Sequence, residues 1–307
     1  MSSEIGVPRD NVGRGILLAL AAILVFSTQD AASKFLVESD VSPFQMTMMR
    51  FWAFAAFALI LAWRQGGMLN AFRSKHVGLQ VTRGVLLVSD VLMYVMALST
   101  VPLAAVQSIT LVYPLLVTLF AIPLLGERVG VFRMVAVFVG FSGALLIVRP
   151  GGVPLDMGVA YSLGSGAAYA LYIVLTRKVS AGDSTTTSMV YTGVVGLVLS
   201  SAVGVFHWEM LDPTSFLLIG YIMVTGVVAH GMMILALSMA PASVLQPFNY
   251  TSLPWAILLA VFLFGEPIDL ISILGACVIV GAGLVVMARE RIKAVPAVAE
   301  PGLPGKE

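Results

Sequence analysis

The chain is 307 residues long, 59% hydrophobic and only 11% charged, with a mean hydropathy of +0.99. A soluble domain carries roughly 25% charged residues to cover its surface in water, so a water-soluble enzyme of this size is excluded. The net charge of +1 excludes a polybasic nucleic-acid binder, and the single cysteine, Cys277, leaves no partner for an internal disulfide. Inside its apolar run that cysteine reads as a small buried hydrophobe rather than a redox or metal-ligating group.

A hydrocarbon core of about 30 Å takes roughly 20 apolar residues per helix. Ten windows meet that length: Gly15–Val37, Phe44–Trp63, Val77–Leu98, Pro102–Leu124, Val131–Val148, Met157–Leu175, Ser188–His207, Phe216–Ser238, Ala242–Phe264 and Ile268–Ala288. Helices are the default, because lipid leaves each backbone polar group to be satisfied within its own segment. A barrel would show alternating segments of about ten residues, half the length of these runs. The expected fold class is therefore an all-α polytopic membrane protein with ten transmembrane helices. The links between windows are short and carry turn residues, such as Gly66-Gly67 and Asp212-Pro213, with Arg149–Asp156 as the central linker. The first window is interrupted by Asp30 and Lys34 and lacks a small-residue cleavage site, so it reads as a retained helix and not a signal peptide.

Lys and Arg near helix ends set orientation. With the N-terminus inside, thirteen such residues collect on the cytoplasmic side, and only Lys34 and Arg149 on the outer side. Both termini are expected to be cytoplasmic, in a bacterial inner membrane.

The two halves overlay without a gap. Ala97–Glu127 aligns with Ala236–Glu266 at an offset of 139 with 10 identities in 31 positions, among them Pro102 on Pro241, Gln107 on Gln246 and Gly126-Glu127 on Gly265-Glu266. Five windows per half is an odd number, so the second copy runs upside-down relative to the first. The expected organisation is a five-helix repeat over 15–148, an inverted one over 157–288, and cytoplasmic tails at 1–14 and 289–307. Inverted repeats of this kind characterise secondary transporters with a solute site near the bilayer midplane.

The stretches Ser42-Pro43-Phe44 through Arg50-Phe51, Arg83-Gly84, and the Ala97–Glu127 block with its repeat carry a further resemblance. The sequence resembles the drug/metabolite transporter superfamily, in its ten-helix EamA-domain branch. That resemblance covers about Gly15 to Ala288. It implies a cavity between the first, third, fourth, sixth, eighth and ninth helices, and transport without ATP. The segments Gln29–Lys34 and Arg83–Leu87 are similar to those of S-adenosylmethionine and riboflavin carriers, which implies an amino-acid-like, nucleoside-derived or riboflavin-like solute.

Charges inside a bilayer cost about 2.5–3.5 kcal/mol each on insertion scales. Asp30 and Arg50 fall at matching depth on adjacent windows, which predicts an ion pair, with solute contact by Asp30 as the alternative. Arg83, Asp90, Tyr94 and Ala97 share one helix face. Arg83 is expected to snorkel to the headgroups. Asp90 is too central for that, and reads either as a carboxyl buried neutral or paired with Arg83 or His230, or as a solute or proton site. His230 stands one position from the repeat equivalent of Asp90. Gln107, Gln246, Asn249 and Tyr113 are expected to line a cavity for a polar or aromatic solute, against a reading as interhelical hydrogen bonds. Pro114 and Pro254 are expected to interrupt their helices at nearly corresponding points. The small-residue series Ala136-Gly140-Ala144 and Ser162-Gly166-Ala170, and the tyrosines Tyr161, Tyr169 and Tyr172, read as packing. Glu127 and Glu266 are expected to cap the helix that follows each.

No cofactor and no metal are expected. The expected partners are a small-molecule solute and membrane lipids, with proton or exchange coupling, in a monomer or homodimer. The rival classes are a membrane-embedded enzyme, which needs a paired catalytic motif that this sequence lacks, and a channel.

Overall fold

The computed structural model describes residues 9–294 apart from 66, 127–130, 148–152, 154, 181, 240–244 and 268. The described residues are helical, with no strand among them. In chain order the helices are α1 (Arg9–Glu38), α2 (Pro43–Arg64), the single turn α3 (Met68–Ala71), α4 (Val77–Leu98), α5 (Leu103–Thr110), α6 (Tyr113–Leu125), α7 (Val131–Ile147), α8 (Met157–Val179), α9 (Thr185–Gly204), α10 (Pro213–Met239), α11 (Ser252–Phe264) and α12 (Leu270–Ala294). Short 3₁₀ turns at Val205–His207 and Gln246–Thr251 precede α10 and α11. Among the described residues, seven segments are long and apolar enough to cross a membrane. Three shorter apolar helices, Met134–Ile147, Phe248–Phe264 and Leu270–Val285, stand beside them.

Helix starts follow side-chain chemistry. Asp156 accepts from the N–H groups of Gly158 and Val159 (2.9 and 3.2 Å) and opens α8. Ser184 accepts from Thr187 N–H at 3.0 Å to open α9. Asp212 and Asp269 do the same for α10 and α12. Such caps satisfy amides that have no partner inside the helix. Two ends require glycine: α6 stops at Gly126 (φ +69°) and α11 at Gly265 (φ +61°), both left-handed C-caps.

The fourth and ninth windows are not continuous α-helices. The fourth breaks at Leu111-Val112 between α5 and α6, and in the described part of the ninth a 3₁₀ turn over Gln246–Thr251 converts to α-helix at Ser252. Pro114 and Pro254 lie in the first turns of α6 and α11, where the missing N–H is unpaired anyway and the ring is tolerated. The prolines therefore start the second piece of each window instead of kinking a continuous helix.

The main pairings are α1 with α10, α4 with α8 and α9, α2 with α9, and α7 with α12. The α7–α12 crossing depends on glycine. A Cβ on Gly143 would stand 2.7 Å from the Gly275 carbonyl oxygen, and one on Gly275 would stand 2.6 Å from that of Gly143. The two backbones touch directly, as small residues allow in lipid. Cys277, on the same helix, is exposed and not buried as its run suggested. The apolar run surrounds the whole helix, so it could not reveal which face is outermost.

One end of the bundle is tied by Asp183, in the α8–α9 loop. Its carboxylate accepts from Ser74 Oγ (2.5 Å), Lys75 N–H (2.8 Å) and Gln80 Nε2 (2.9 Å), and Gln80 also donates to Ser188 Oγ at 3.1 Å. Desolvation works to push the Asp183 carboxyl up. The bonds from Ser74, Gln80 and Lys75, with the nearby His76, outweigh it and hold the carboxyl below its ordinary value.

Two outcomes are expected. Gly143→Ala or Gly275→Ala forces the α7 and α12 backbones apart, an overpacking cost of about 1–3 kcal/mol. Gly220→Ala and Gly231→Ala, which meet nothing within 4 Å, leave the thermal midpoint of the detergent-solubilised protein nearly unchanged. For Asp183, a lowered folded value means that its stabilisation is complete above the unfolded value of about 3.9 and fades as pH falls through the folded one. Asp183→Asn should therefore flatten the part of the midpoint-versus-pH curve below about pH 4 and lower the plateau above it. An unaltered acid limb in the variant would show that the carboxylate tie contributes nothing.

Candidate functional site

The polar residues of α1, α2 and α4 converge on α8 and the broken ninth window. Asp90 on α4 accepts from Ser165 Oγ of α8 at 2.6 Å. One turn along, Tyr94 donates its hydroxyl proton to Gln107 Oε1 at 3.0 Å, and Gln107 Nε2 donates to Ser252 Oγ at 2.9 Å. Ser252 passes its own proton to the Asn249 carbonyl at 2.7 Å. Both ends of the Gln107 amide are thus used, and a hydrogen-bond line runs from α4 through α5 to the first residue of α11. Tyr94 also sits beside Asp30 of α1, and Tyr113 beside Asn249 and Tyr250. These two groups of contacts bring Asp30, Asp90, Tyr94, Gln107 and Asn249 into one neighbourhood. Residues from both halves of the chain meet there.

Arg50 lies within the electrostatic reach of both Asp30 and Asp90. Among the described residues no carboxylate oxygen stands within 4 Å of it; the ion pairs found there belong to Lys34. The expected Asp30–Arg50 ion pair is therefore absent as a direct contact, although the two residues share the site. Equal depth on neighbouring helices fixes height and not azimuth, which is why the sequence suggested a bond.

Arg83 does not snorkel. It is 2% exposed, donates from Nε to Thr176 Oγ1 at 2.8 Å, donates from a terminal nitrogen to Gln80 Oε1, and lies 4.9 Å from the centre of the Tyr172 ring. The missed signal is Gln80, one turn before Arg83 on the same helix face, which links it to the Asp183 tie. Arg83 is therefore no partner for Asp90. His230 is none either: its Nδ1 meets the Gly226 carbonyl at 2.8 Å, and its ring packs edge-on against Phe26 (5.0 Å) and Phe54 (5.4 Å). Gln246 opens the 3₁₀ turn before α11, and its side chain lies outside the described residues.

Tyr169 and Tyr172 do more than fill space. Tyr113 meets Tyr169 edge-on at 4.9 Å and Tyr169 stacks on Tyr172 at 6.1 Å, so an aromatic lane runs from the polar centre to Arg83. Tyr250 turns away from the site towards α12, its hydroxyl occupying the space a Gly283 side chain would need.

The other end of the molecule holds a buried charge pair. Lys34 of α1 meets Glu266 at 2.8 Å, with side-chain exposures of 7% and 12%, and Glu38 at 3.3 Å. Glu266 also accepts the Leu103 N–H at 2.9 Å. It therefore caps α5 of the first half, not α12 of its own, which Asp269 caps. The sequence placed Glu266 next to α12 but could not show that α5 begins closer in space. Its counterpart Glu127 lies outside the described residues.

The comparisons with known proteins agree with this architecture. The S-adenosylmethionine uptake transporter of Rickettsia prowazekii is 24% identical over 90% of this chain and 93% of its own length. The riboflavin transporter of Vibrio cholerae is 26% identical over 82% of this chain and 85% of its own. A riboflavin transporter of Brucella anthropi is 28% identical over 72% and 80%. One solved crystal structure superposes with a TM-score of 0.63 at 19% identity, covering 92% of this chain and 99% of that one, a likeness of fold alone. The model of the EamA-like transporter family matches residues 13–149 and again residues 156–288. A multi-pass helical chain matched twice in succession over most of its length, with polar side chains from both matches meeting between its helices, belongs to the EamA-like transporter family, whose named relatives here are bacterial small-molecule transporters and not enzymes.

Proposed function

We propose that this protein is a secondary active carrier that moves a small polar metabolite across a bacterial inner membrane by alternating access. The observation that carries this reading is the convergence of Asp30, Asp90, Tyr94 and Gln107 from one half with Ser165, Asn249 and Ser252 from the other. So many polar groups in an apolar bundle are costly unless they serve a solute or a proton.

The ten-span, inverted-repeat reading has three supports. The pairings exchange under the repeat: α1 with α10 corresponds to α8 with α4, while α2–α9 and α7–α12 map onto themselves. Both halves break the corresponding window. Both end it on a left-handed glycine, Gly126 and Gly265. In this reading both termini are cytoplasmic, and Lys34–Glu266 closes the outer side. Because that pair joins the two halves, outward opening separates it, and inward opening does not. The solute is amino-acid-like, nucleoside-derived or riboflavin-like, as the relatives' names suggest. Asp90, held by a single Ser165 hydroxyl and close to Asp30 and Arg50, is assigned the coupling role, with exchange of a proton or of a cationic amine.

Two experiments test this. In a Cys277→Ser background, Ser39→Cys is expected to react with an impermeant thiol reagent from outside intact cells, and Gln65→Cys only after permeabilisation. Equal labelling of the two would overturn the orientation. Asp90→Asn keeps shape and one hydrogen-bond acceptor but removes the charge. It is expected to lower counterflow uptake into proteoliposomes at least tenfold and to leave a pH-independent remainder, while protein in the membrane is unchanged. An Asp90→Asn protein that transports with the wild-type pH profile makes Asp90 a structural residue.

A further inference from the structure

Lys178, in the last turn of α8, reaches out of its own half of the chain. Its Nζ donates to the Leu124 carbonyl at 3.1 Å, in the last turn of α6. The last carbonyls of a helix have no partner inside it and carry partial negative charge, which a lysine answers. At the other end of the bundle Lys34, near the end of α1, meets Glu266, just past the end of α11. These two contacts correspond. Helices α1 and α8 open the two family matches. Helices α6 and α11 are the second pieces of the two interrupted windows, and each ends on a left-handed glycine, Gly126 or Gly265. In both cases a lysine near the end of the first helix of one half is held by the C-terminal end of the interrupted window of the other half. Their surroundings differ. Lys34 and Glu266 are 7% and 12% exposed, whereas Lys178 is exposed. The Asp183 tie is of another kind, because it links loops beside α4, α8 and α9, which already pack along their lengths.

Resting on the carrier reading, we propose that Lys178 is a positioning residue for alternating access, the inner counterpart of Lys34. Lys34 holds α1 to the end of α11 and closes the outer end. Lys178 holds α8 to the end of α6 and closes the inner end. Inward opening parts Lys178 from Leu124 and leaves Lys34–Glu266 joined; outward opening does the reverse. Both contacts are made here at once, the arrangement of a carrier shut at both ends. Removing either lysine releases one end only, so the two removals push the protein in opposite directions. Their sizes are unequal. Without Lys34, the buried Glu266 charge loses its cation, which is costly. Without Lys178, an exposed carbonyl is left, and water replaces the lost hydrogen bond.

Two buried alanines report on the two ends. Ala97 and its repeat equivalent Ala236 lie in the last turns of α4 and α10, the first at the outer end and the second at the inner, and both are 0% exposed. In the Cys277→Ser background, Ala97→Cys is labelled with an impermeant thiol reagent on intact cells, and Ala236→Cys in inside-out vesicles. Lys34→Gln is expected to speed labelling at Ala97→Cys about tenfold and to slow it at Ala236→Cys. Lys178→Gln is expected to do the opposite, speeding Ala236→Cys about threefold and slowing Ala97→Cys. The combined variant should fall between the two at both reporters. A lysine that only caps α6 moves neither reporter, whatever it does to the thermal midpoint. If Lys34→Gln does not fold, Lys178→Gln with the two reporters still decides. Lys178→Gln that moves neither reporter, or moves both the same way, overturns the proposal, as does a combined variant identical to Lys34→Gln. If Lys34→Gln shifts its reporters in opposite directions and Lys178→Gln shifts neither, the role of Lys178 falls and the carrier stands. Neither lysine moving either reporter counts against alternating access itself.

Discussion

Lipid offers no hydrogen bonds, so every donor and acceptor between the ends of this bundle has to be met by another part of the chain. Five serines and threonines of the spans obey this locally. Ser27, Ser33, Ser108, Ser162 and Thr176 each donate back to the carbonyl four residues earlier, at 2.6–3.0 Å. Such bonds cost the helix little and hide a hydroxyl that would otherwise need an interhelical partner. The residues left over are those with no local solution: carboxylates, guanidiniums, long amides and phenols. They are forced to meet across helices, and the bundle arranges them in three places: the Lys34–Glu266 end, the centre around Asp90 and Gln107, and the Asp183–Gln80–Arg83 end.

These three places were unevenly legible in the sequence. The class of protein and most helix positions followed from apolar run length, because lipid imposes length directly. The central residues Asp30, Asp90 and Gln107 stood out because each is expensive where it sits. Their partners did not stand out. Ser165 and Ser252 are small hydroxyl residues of a kind that is common in spans, and their role depends on which helix lies opposite. Gln80 and Asp183 lie at a helix start and in a loop, where polar residues are ordinary. Arg83 was misread for the same reason: near a helix end, snorkelling and inward bonding produce the same sequence pattern, and only Gln80 and Tyr172 decide between them. Pattern reveals which residues have a cost; azimuth decides who answers it.

The breaks in the fourth and ninth windows follow the same constraint. Ending α5 at Thr110 and starting α6 at Tyr113 frees backbone groups in the middle of an apolar bundle, and the 3₁₀ turn before α11 does so again. In lipid that is tolerated only where protein or a cavity receives the freed groups. Both breaks lie against the polar centre, and Ser252 and Asn249 at the second are joined to it through Gln107. Prolines in the first turns of α6 and α11 keep the second pieces from fusing with the first. The second break and the polar cluster are thus joined by hydrogen bonds.

In the proposed carrier the Lys34–Glu266 pair would have to balance closure against opening. Removing one member of a buried ion pair costs about 3–5 kcal/mol, because the other is left charged and unanswered, whereas the intact pair contributes little net stability. Glu266 moderates that asymmetry. With Lys34 withdrawn it still accepts the Leu103 N–H at the start of α5, where the helix dipole favours a negative charge. Lys34 in turn still has Glu38 at 3.3 Å, one turn along its own helix. Lys34 keeps Glu38 on its own helix when the pair separates, whereas both contacts of Glu266 lie on the first half of the chain and separate together. A bolt built only from two mutually dependent charges would hold one state too strongly. In the proposed carrier, one whose lysine has a fallback on its own helix and whose carboxylate is released to water would let the closed and open ends stay within a few kcal/mol, the range in which a bound solute can tip the balance.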